Sequence, residues 1–340
     1  MTGNIIKGVV IFLLLCVIST AAAVVIPSDS KIQANEGALT EKNLTHDVEN
    51  AVLNVNNNVN ATVFNLPKVY TLPMDLSPAP TPNPAGFTED SYEDATISVK
   101  CWRERIELPE KTVTANFADV TIAHPTQLRM AFAGGSYGTR KRTYASKMAA
   151  DNNAVIAINA DFYNCRTNGL IIRQGTLYRK KCSGFDTLFI DSNGDFTVMN
   201  DFYSINSGFL SENTIYQAIN FGPVIVQDGQ AVKKLKDFNS VACGPRANNP
   251  RTAIGQLGKL HYLICAIDGR SDISIGTTTN ELAVIMADKG CQVAYNLDGG
   301  QSTTMVFHNR LYNVVSDGGE RNMSDILYFA SAIPESEWNA

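Results

Sequence analysis

From about residue 96 onward, apolar and polar residues alternate at strand spacing far more often than at helical spacing. Residues 113–122 (VTANFADVTI) read as a strand with one exposed face, and residues 128–133 as a second strand. Residues 144–151 predict a short helix, and the apolar run at residues 154–158 predicts a buried strand. Further strands are expected over residues 187–191, 224–227, 260–267, 293–297 and 326–329. Strands dominate and helices are few, so the expected fold class is α+β with a mixed β-sheet.

Residues 260–297 predict a β-α-β unit. Its first strand ends in Asp268-Gly269-Arg270. Thr278 and Glu281 then have capping-box spacing, in which the carboxylate reaches back to the threonine amide. Leu282, Ala283, Ile285 and Met286 follow at helical spacing, and Gly290 supplies a C-terminal stop. The second strand ends in Asn296-Leu297-Asp298-Gly299-Gly300. Strand, helix, strand predicts a parallel pair with a right-handed crossover. Asp268 and Asp298 would then leave one sheet edge on neighbouring or next-neighbour strands, where open sheets place ligand sites. The strand ending in Asn159-Ala160-Asp161 could bring polar groups to the same edge.

Two segments precede this domain. Residues 8–26 carry no charge, follow Lys7, and combine an apolar heart (IFLLL, residues 11–15) with small residues at 21–23. Residues 1–26 therefore read as an export segment, either a cleaved signal peptide or an uncleaved anchor that holds the chain at a membrane through residues 8–26. Both place the rest outside the cytoplasm, secreted or membrane-anchored. Residues 27–95 are rich in Asn and Pro and read as an extended, poorly packed spacer, of which a part such as residues 69–72 could add a strand to the domain. The domain proper is expected over residues 96–332.

Composition narrows the function. The 340 residues are 44% hydrophobic and 18% charged, which excludes wholesale disorder. Lys and Arg total 28 against 33 acids, a net charge of -5, so no basic excess exists to meet nucleic acid. His46, His124, His261 and His308 are scattered, with no HExxH and no CxxC, so neither metal nor other cofactor is expected. Cys16 lies in the export segment, which leaves an even number of cysteines and permits disulfides. Cys165 and Cys182 bracket a short segment and are the expected pair. Cys265 and Cys291 sit in apolar runs and read as buried free thiols.

A series of ordered motifs runs between residues 111 and 329. They are AINADFYN (157–164), GLII (169–172), GPVIV (222–226), NPRTAIG (249–255), DGR (268–270), NLDGGQSTTM (296–305) and Glu320-Arg321. In this order they resemble the phosphodiester glycosidase family. Two departures stand out. Gln301 replaces the third glycine of the family's usual Asp-Gly-Gly-Gly-Ser, where a side chain could narrow the site. Ala160-Asp161 replaces a pair of glycines, adding a carboxylate that could bind a hydroxyl or a cation.

The resemblance implies cleavage between a sugar's anomeric carbon and a phosphate oxygen of a glycan or glycopolymer phosphodiester. Positive charge then develops on the ring and negative charge on the departing phosphate. Forked guanidinium groups match phosphate oxygens, so Arg251, Arg270 and Arg321 are the candidates for phosphate binding. A carboxylate must steady the ring, attack it or activate water, and Asp298, Glu320 and Asp268 are the candidates. Asn159 ends a buried strand at the presumed site edge and joins them. Gly299 and Gly300 would let chain and ligand approach closely. Ser302 is either a helix cap or a phosphate ligand. Each acid also has a bland reading: Asp298 and Asp268 as turn formers, Glu320-Arg321 as a solvated ion pair.

Two other functions fit part of the sequence. The same arginines could hold an anionic cell-surface glycopolymer without cutting it. Gly134-Gly135-Ser136-Tyr137-Gly138 matches the G-x-S-x-G elbow of a serine esterase, with Asp298 and His308 downstream.

Overall fold

The computed structural model describes residues 64–339 apart from 139, 201, 205–208, 213 and 236–246. The expected export segment, the asparagine-rich part of the spacer, Cys16 and Cys243 lie outside the described residues. Among the described residues no helix is long and apolar enough to cross a membrane.

Three sheets make up the domain. The first has eight strands in the spatial order β1 (Ser91–Glu93), β2 (Ile97–Leu108), β3 (Lys111–Ile122), β14 (His261–Ile267), β13 (Arg251–Gly258), β15 (Val293–Asn296), β11 (Val224–Gln227) and β12 (Gln230–Ala231). The second runs β7 (Thr176–Arg179), β6 (Ile171–Arg173), β10 (Ile215–Ile219), β8 (Thr187–Asp191), β9 (Phe196–Met199). The third runs β17 (Arg310–Leu311), β16 (Met305–Phe307), β5 (Ile156–Asn159), β18 (Asp325–Phe329), β4 (Leu128–Phe132). Helix α1 (Ala145–Asp151) covers the third sheet and helix α2 (Thr279–Asp288) the first.

The fold is more sheet-dominated than the α+β expectation, and the mixed sheet is not found. Every pairing among the described strands is antiparallel. The predicted strand–helix–strand unit exists, but β13 lies between its two strands and runs antiparallel to both. β14 and β15 thus point the same way as next neighbours. β13 escapes a periodicity reading because Arg251, Thr252 and Gln256 are buried in it beside apolar residues. The capping box is present: Thr278 N donates to Glu281 Oε2 at 2.7 Å, and Glu281 N to Thr278 Oγ1 at 3.2 Å. Gly290 follows the helix at φ 91°, a left-handed position that favours glycine.

Strand alternation builds two cores. Along β14, Tyr262, Ile264 and Ala266 enter the core shared with the other sheets, while Leu263, Cys265 and Ile267 pack beneath α2. A strand buried on both faces must be apolar throughout, as this one is.

The described end of the proline-rich segment, expected to be poorly packed, lies against the domain. Leu72 and Ala79 are buried in the core under α1, and β1 pairs with β2. The cause is Arg129, fully buried in β4. Its Nε donates to the Tyr328 hydroxyl at 3.0 Å, Nη1 to Pro73 O at 2.9 Å, and Nη2 to Asp75 O at 2.8 Å and Ser77 O at 3.0 Å. Extended backbone of this kind has unpaired carbonyls, and a buried guanidinium needs acceptors.

The expected cysteine pair is not found, and the serine-esterase alternative gains no support. Cys165 and Cys182 are free thiols, and the Cys165 sulfur instead accepts a hydrogen bond from Arg142 Nη2 at 2.9 Å. Ser136 is no nucleophile elbow, because α1 does not begin until Ala145. Its hydroxyl takes a hydrogen bond from Lys141, while His308 stacks on Phe87. Cys265 and Cys291 are free and buried, as expected.

A chain shortened to begin at Thr96 strands the Arg129 guanidinium and uncovers α1's core. It is expected to lose about 3 kcal/mol or more of stability. Denaturant unfolding of the two chains checks this; equal midpoints would mean the segment adds nothing.

Candidate active site

The end of β14, the start of β13 and the end of β15 meet at one edge of the first sheet: Arg251 pairs with Ile267, and Leu297 N donates to Thr252 O at 2.9 Å. Asp268, Arg251 and Asp298 therefore gather there, as the sequence implied. Asn159, the last residue of β5, brings the third sheet to the same place. Its Oδ1 accepts from Thr252 Oγ1 at 2.8 Å and Thr304 N at 3.1 Å, and its Nδ2 donates to Asp298 O at 2.6 Å. With its carboxamide so engaged and the residue buried, Asn159 holds the Asp298 loop rather than presenting a free polar group.

The backbone of that loop is pressed on its surroundings. A Cβ on Gly299 would stand 2.8 Å from Pro250 O, and Gly300 N donates to the same oxygen at 2.9 Å. Gly300 turns at φ 62°, and a Cβ there would meet Arg270 Nη2 at 2.8 Å. Both glycines thus serve close backbone approach. Gln301 Nε2 donates to Gly319 O at 3.2 Å, so the residue that departs from the family pattern ties this loop to the 312–323 loop. Ser302 is buried beside Asp298.

Asp298 is half-buried and accepts Gly299 N on Oδ1 at 3.0 Å. Loss of solvent pushes its carboxyl up to about 6, against the Ser302 hydroxyl and the charges of Arg321 and Arg166. Asp268 is also pushed up to about 6 by burial, but it is enclosed. Its Oδ1 takes Asn116 Nδ2 at 2.8 Å and Val314 N at 3.1 Å. Glu320 is spent on helix α1: its carboxylate accepts Ser146 N at 3.0 Å and Ser146 Oγ at 2.5 Å. Of the three predicted acids, Asp298 is the one that feels the charges of both Arg321 and Arg166.

The predicted arginines divide. Arg251 is buried and donates to Thr277 O at 3.0 Å and Ala247 O at 2.8 Å. Arg270 pairs with Asp317 at 2.5 Å and donates to Asn249 Oδ1 at 3.2 Å. Arg321 lies 5.3 Å from the Phe162 ring centroid and acts electrostatically on Asp298. Asp161, read as a possible hydroxyl or cation ligand, is instead buried and paired with Arg166 at 2.7 Å and Arg173 at 3.3 Å. Arg142, Arg166 and Phe162 are not singled out by sequence; the only signal is that Phe162 lies within the first motif and Arg166 just after it. Among the described residues no group of three or more His, Cys, Asp or Glu could hold a metal ion.

Comparison with known proteins bears on the family and the fold. Residues 152–330 match the family described as phosphodiester glycosidase. A curated relative, the SPbeta prophage-derived uncharacterized protein YomE of Bacillus subtilis (strain 168), is 25% identical over 259 residues, 71% of this chain. The chain spans 39% of that relative's length. Among solved structures, the catalytic domain of zebrafish N-acetylglucosamine-1-phosphodiester alpha-N-acetylglucosaminidase, auto-inhibited by its pro-peptide, superposes with a TM-score of 0.57 at 19% identity. That match covers 74% of this chain and 87% of the zebrafish chain, and it establishes a shared fold.

The Asp298 carboxyl yields a stability prediction. Its folded value of about 6 exceeds the unfolded value of about 4, so folding binds protons between them. Stability from this group therefore falls as pH rises through that window. Asp298→Asn keeps an acceptor for Gly299 N and removes the penalty. Calorimetry should find the variant melting higher than the parent at pH 7.5, with the gap closing toward pH 4.

Proposed function

The chain belongs to the phosphodiester glycosidase family, and from that premise we propose that it is an exported hydrolase of sugar 1-phosphodiesters. The substrate class is a glycan or glycopolymer phosphodiester. The bond between the anomeric carbon and the phosphate oxygen breaks, and its electron pair leaves with the phosphate. Water supplies hydroxide to the carbon and gives up one proton. The products are a free sugar and a phosphomonoester.

The observation that carries this reading is Asp298: a half-buried carboxyl at the sheet edge, raised to about 6, in the field of Arg166 and Arg321. In its ionised form it offsets the positive charge that develops on the sugar ring. A phosphomonoester is a good leaving group, so positive charge facing the phosphate matters more than a proton donor. Export rests on the uncharged residues 8–26.

Incubation with a panel of sugar 1-phosphodiesters should release free sugar. Binding without release would make the protein a glycopolymer-binding module instead. Asp298→Asn should lower turnover by about 10²–10⁴ with little change in the Michaelis constant. Activity should rise with pH and level off above about 6, as Asp298 ionises. Near-normal turnover in the variant would remove Asp298 from the mechanism.

A further inference from the structure

The positive charge near Asp298 is unevenly committed. Arg251 and Arg270, from the two sequence motifs, are engaged with Thr277, Ala247, Asp317 and Asn249. Arg142 and Arg321 differ. Their guanidinium carbons lie 6.0 and 5.3 Å from the centroid of one ring, Phe162. Among the described residues neither forms an ion pair, and the one hydrogen bond of the Arg142 guanidinium goes to the thiol sulfur of Cys165. A third guanidinium, that of Arg166, is held by Asp161 and lies over Phe185 and Phe221 at 5.4 and 5.5 Å.

These groups share one neighbourhood. Cys165 is exposed, and its thiol is under the influence of Arg142, Arg321, Arg166 and Asp298 together. Phe162, the plate beneath two of the arginines, stands at φ 59°, a left-handed conformation that costs an aromatic residue energy. Three guanidinium groups here face only Asp161, spent on Arg166, and Asp298, so the arrangement gains from a ligand that brings two or more anionic oxygens.

We propose that Arg142 and Arg321, gathered on Phe162, bind the phosphate group of the substrate together with Arg166 beside Cys165. Arg251 and Arg270 are then positioning residues: Arg270 packs on Gly300 of the Asp298 loop, and Arg251 anchors the start of β13 beside it. The identity of the ligand as a sugar phosphodiester rests on the function proposed above; the anion site itself does not.

The test uses the full chain and two readouts. Inorganic phosphate should slow alkylation of Cys165 by iodoacetamide, followed peptide by peptide, and leave the rate at Cys182 unchanged. Arg142→Gln and Arg321→Gln should each abolish that protection while melting as the parent does. Each should also raise the Michaelis constant for a sugar phosphodiester by about 10–100-fold. Arg270→Gln should retain phosphate protection. Protection without any sugar release would overturn the proposed reaction and leave the anion site standing. Sugar release with unprotected Cys165, or with Michaelis constants unchanged in both variants, would overturn the anion site and leave the reaction standing.

Discussion

Arg173 carries its charge into the interior between two carboxylates, and much of the site hangs from that arrangement. Its Nη2 reaches Asp325 at 2.8 Å and Asp161 at 3.3 Å, while Nη1 donates to Ala218 O at 2.7 Å. Arg173 ends β6 of the second sheet, Asp325 begins β18 of the third, and Asp161 follows β5. One guanidinium therefore joins two sheets, and the second oxygen pair of the network holds Arg166 beside Asp298. Burial drives the Asp325 carboxyl upward against the pull of Arg173. Breaking a buried pair of this kind costs about 3–5 kcal/mol because the remaining charge is stranded. The network is thus a poor place for variation, even though none of its buried members reaches solvent.

Asn159 does for the first and third sheets what Arg173 does for the second and third. Its carboxamide is shared among Thr252, Thr304 and the backbone of Asp298. Asp298 consequently stands where three sheets are pinned together, on backbone too crowded for side chains at the next two positions. Preorganisation of that kind lets a carboxyl keep little water without collapsing onto a neighbour.

Local pattern made most single elements legible: the apolar runs of β5, β11 and β14, the capping box of α2 and the stop at Gly290 all stand where periodicity and capping chemistry put them. Pairing was not legible. β13 carries polar residues that are satisfied only by distant partners, such as Gln256 with Phe196 N and Asp195, so its pattern does not announce a central strand. The same limit applies to the site. Asp298, Gly299 and Gly300 were readable from a strand end and its glycines. Nothing local told that Glu320 would cap α1 across the sheet, or that Asp161 would be consumed by Arg173. Those fates depend on which neighbours the topology supplies.

The order of strands in the third sheet also governs how the chain can be made. β18, nearly 200 residues after β4, lies between β4 and β5 and pairs with both. The sheet therefore keeps an open seam until the last strand has been synthesised, and β4 and β5 cannot become neighbours without it. Pairings this distant in sequence are slow to form and leave unpaired edges exposed meanwhile.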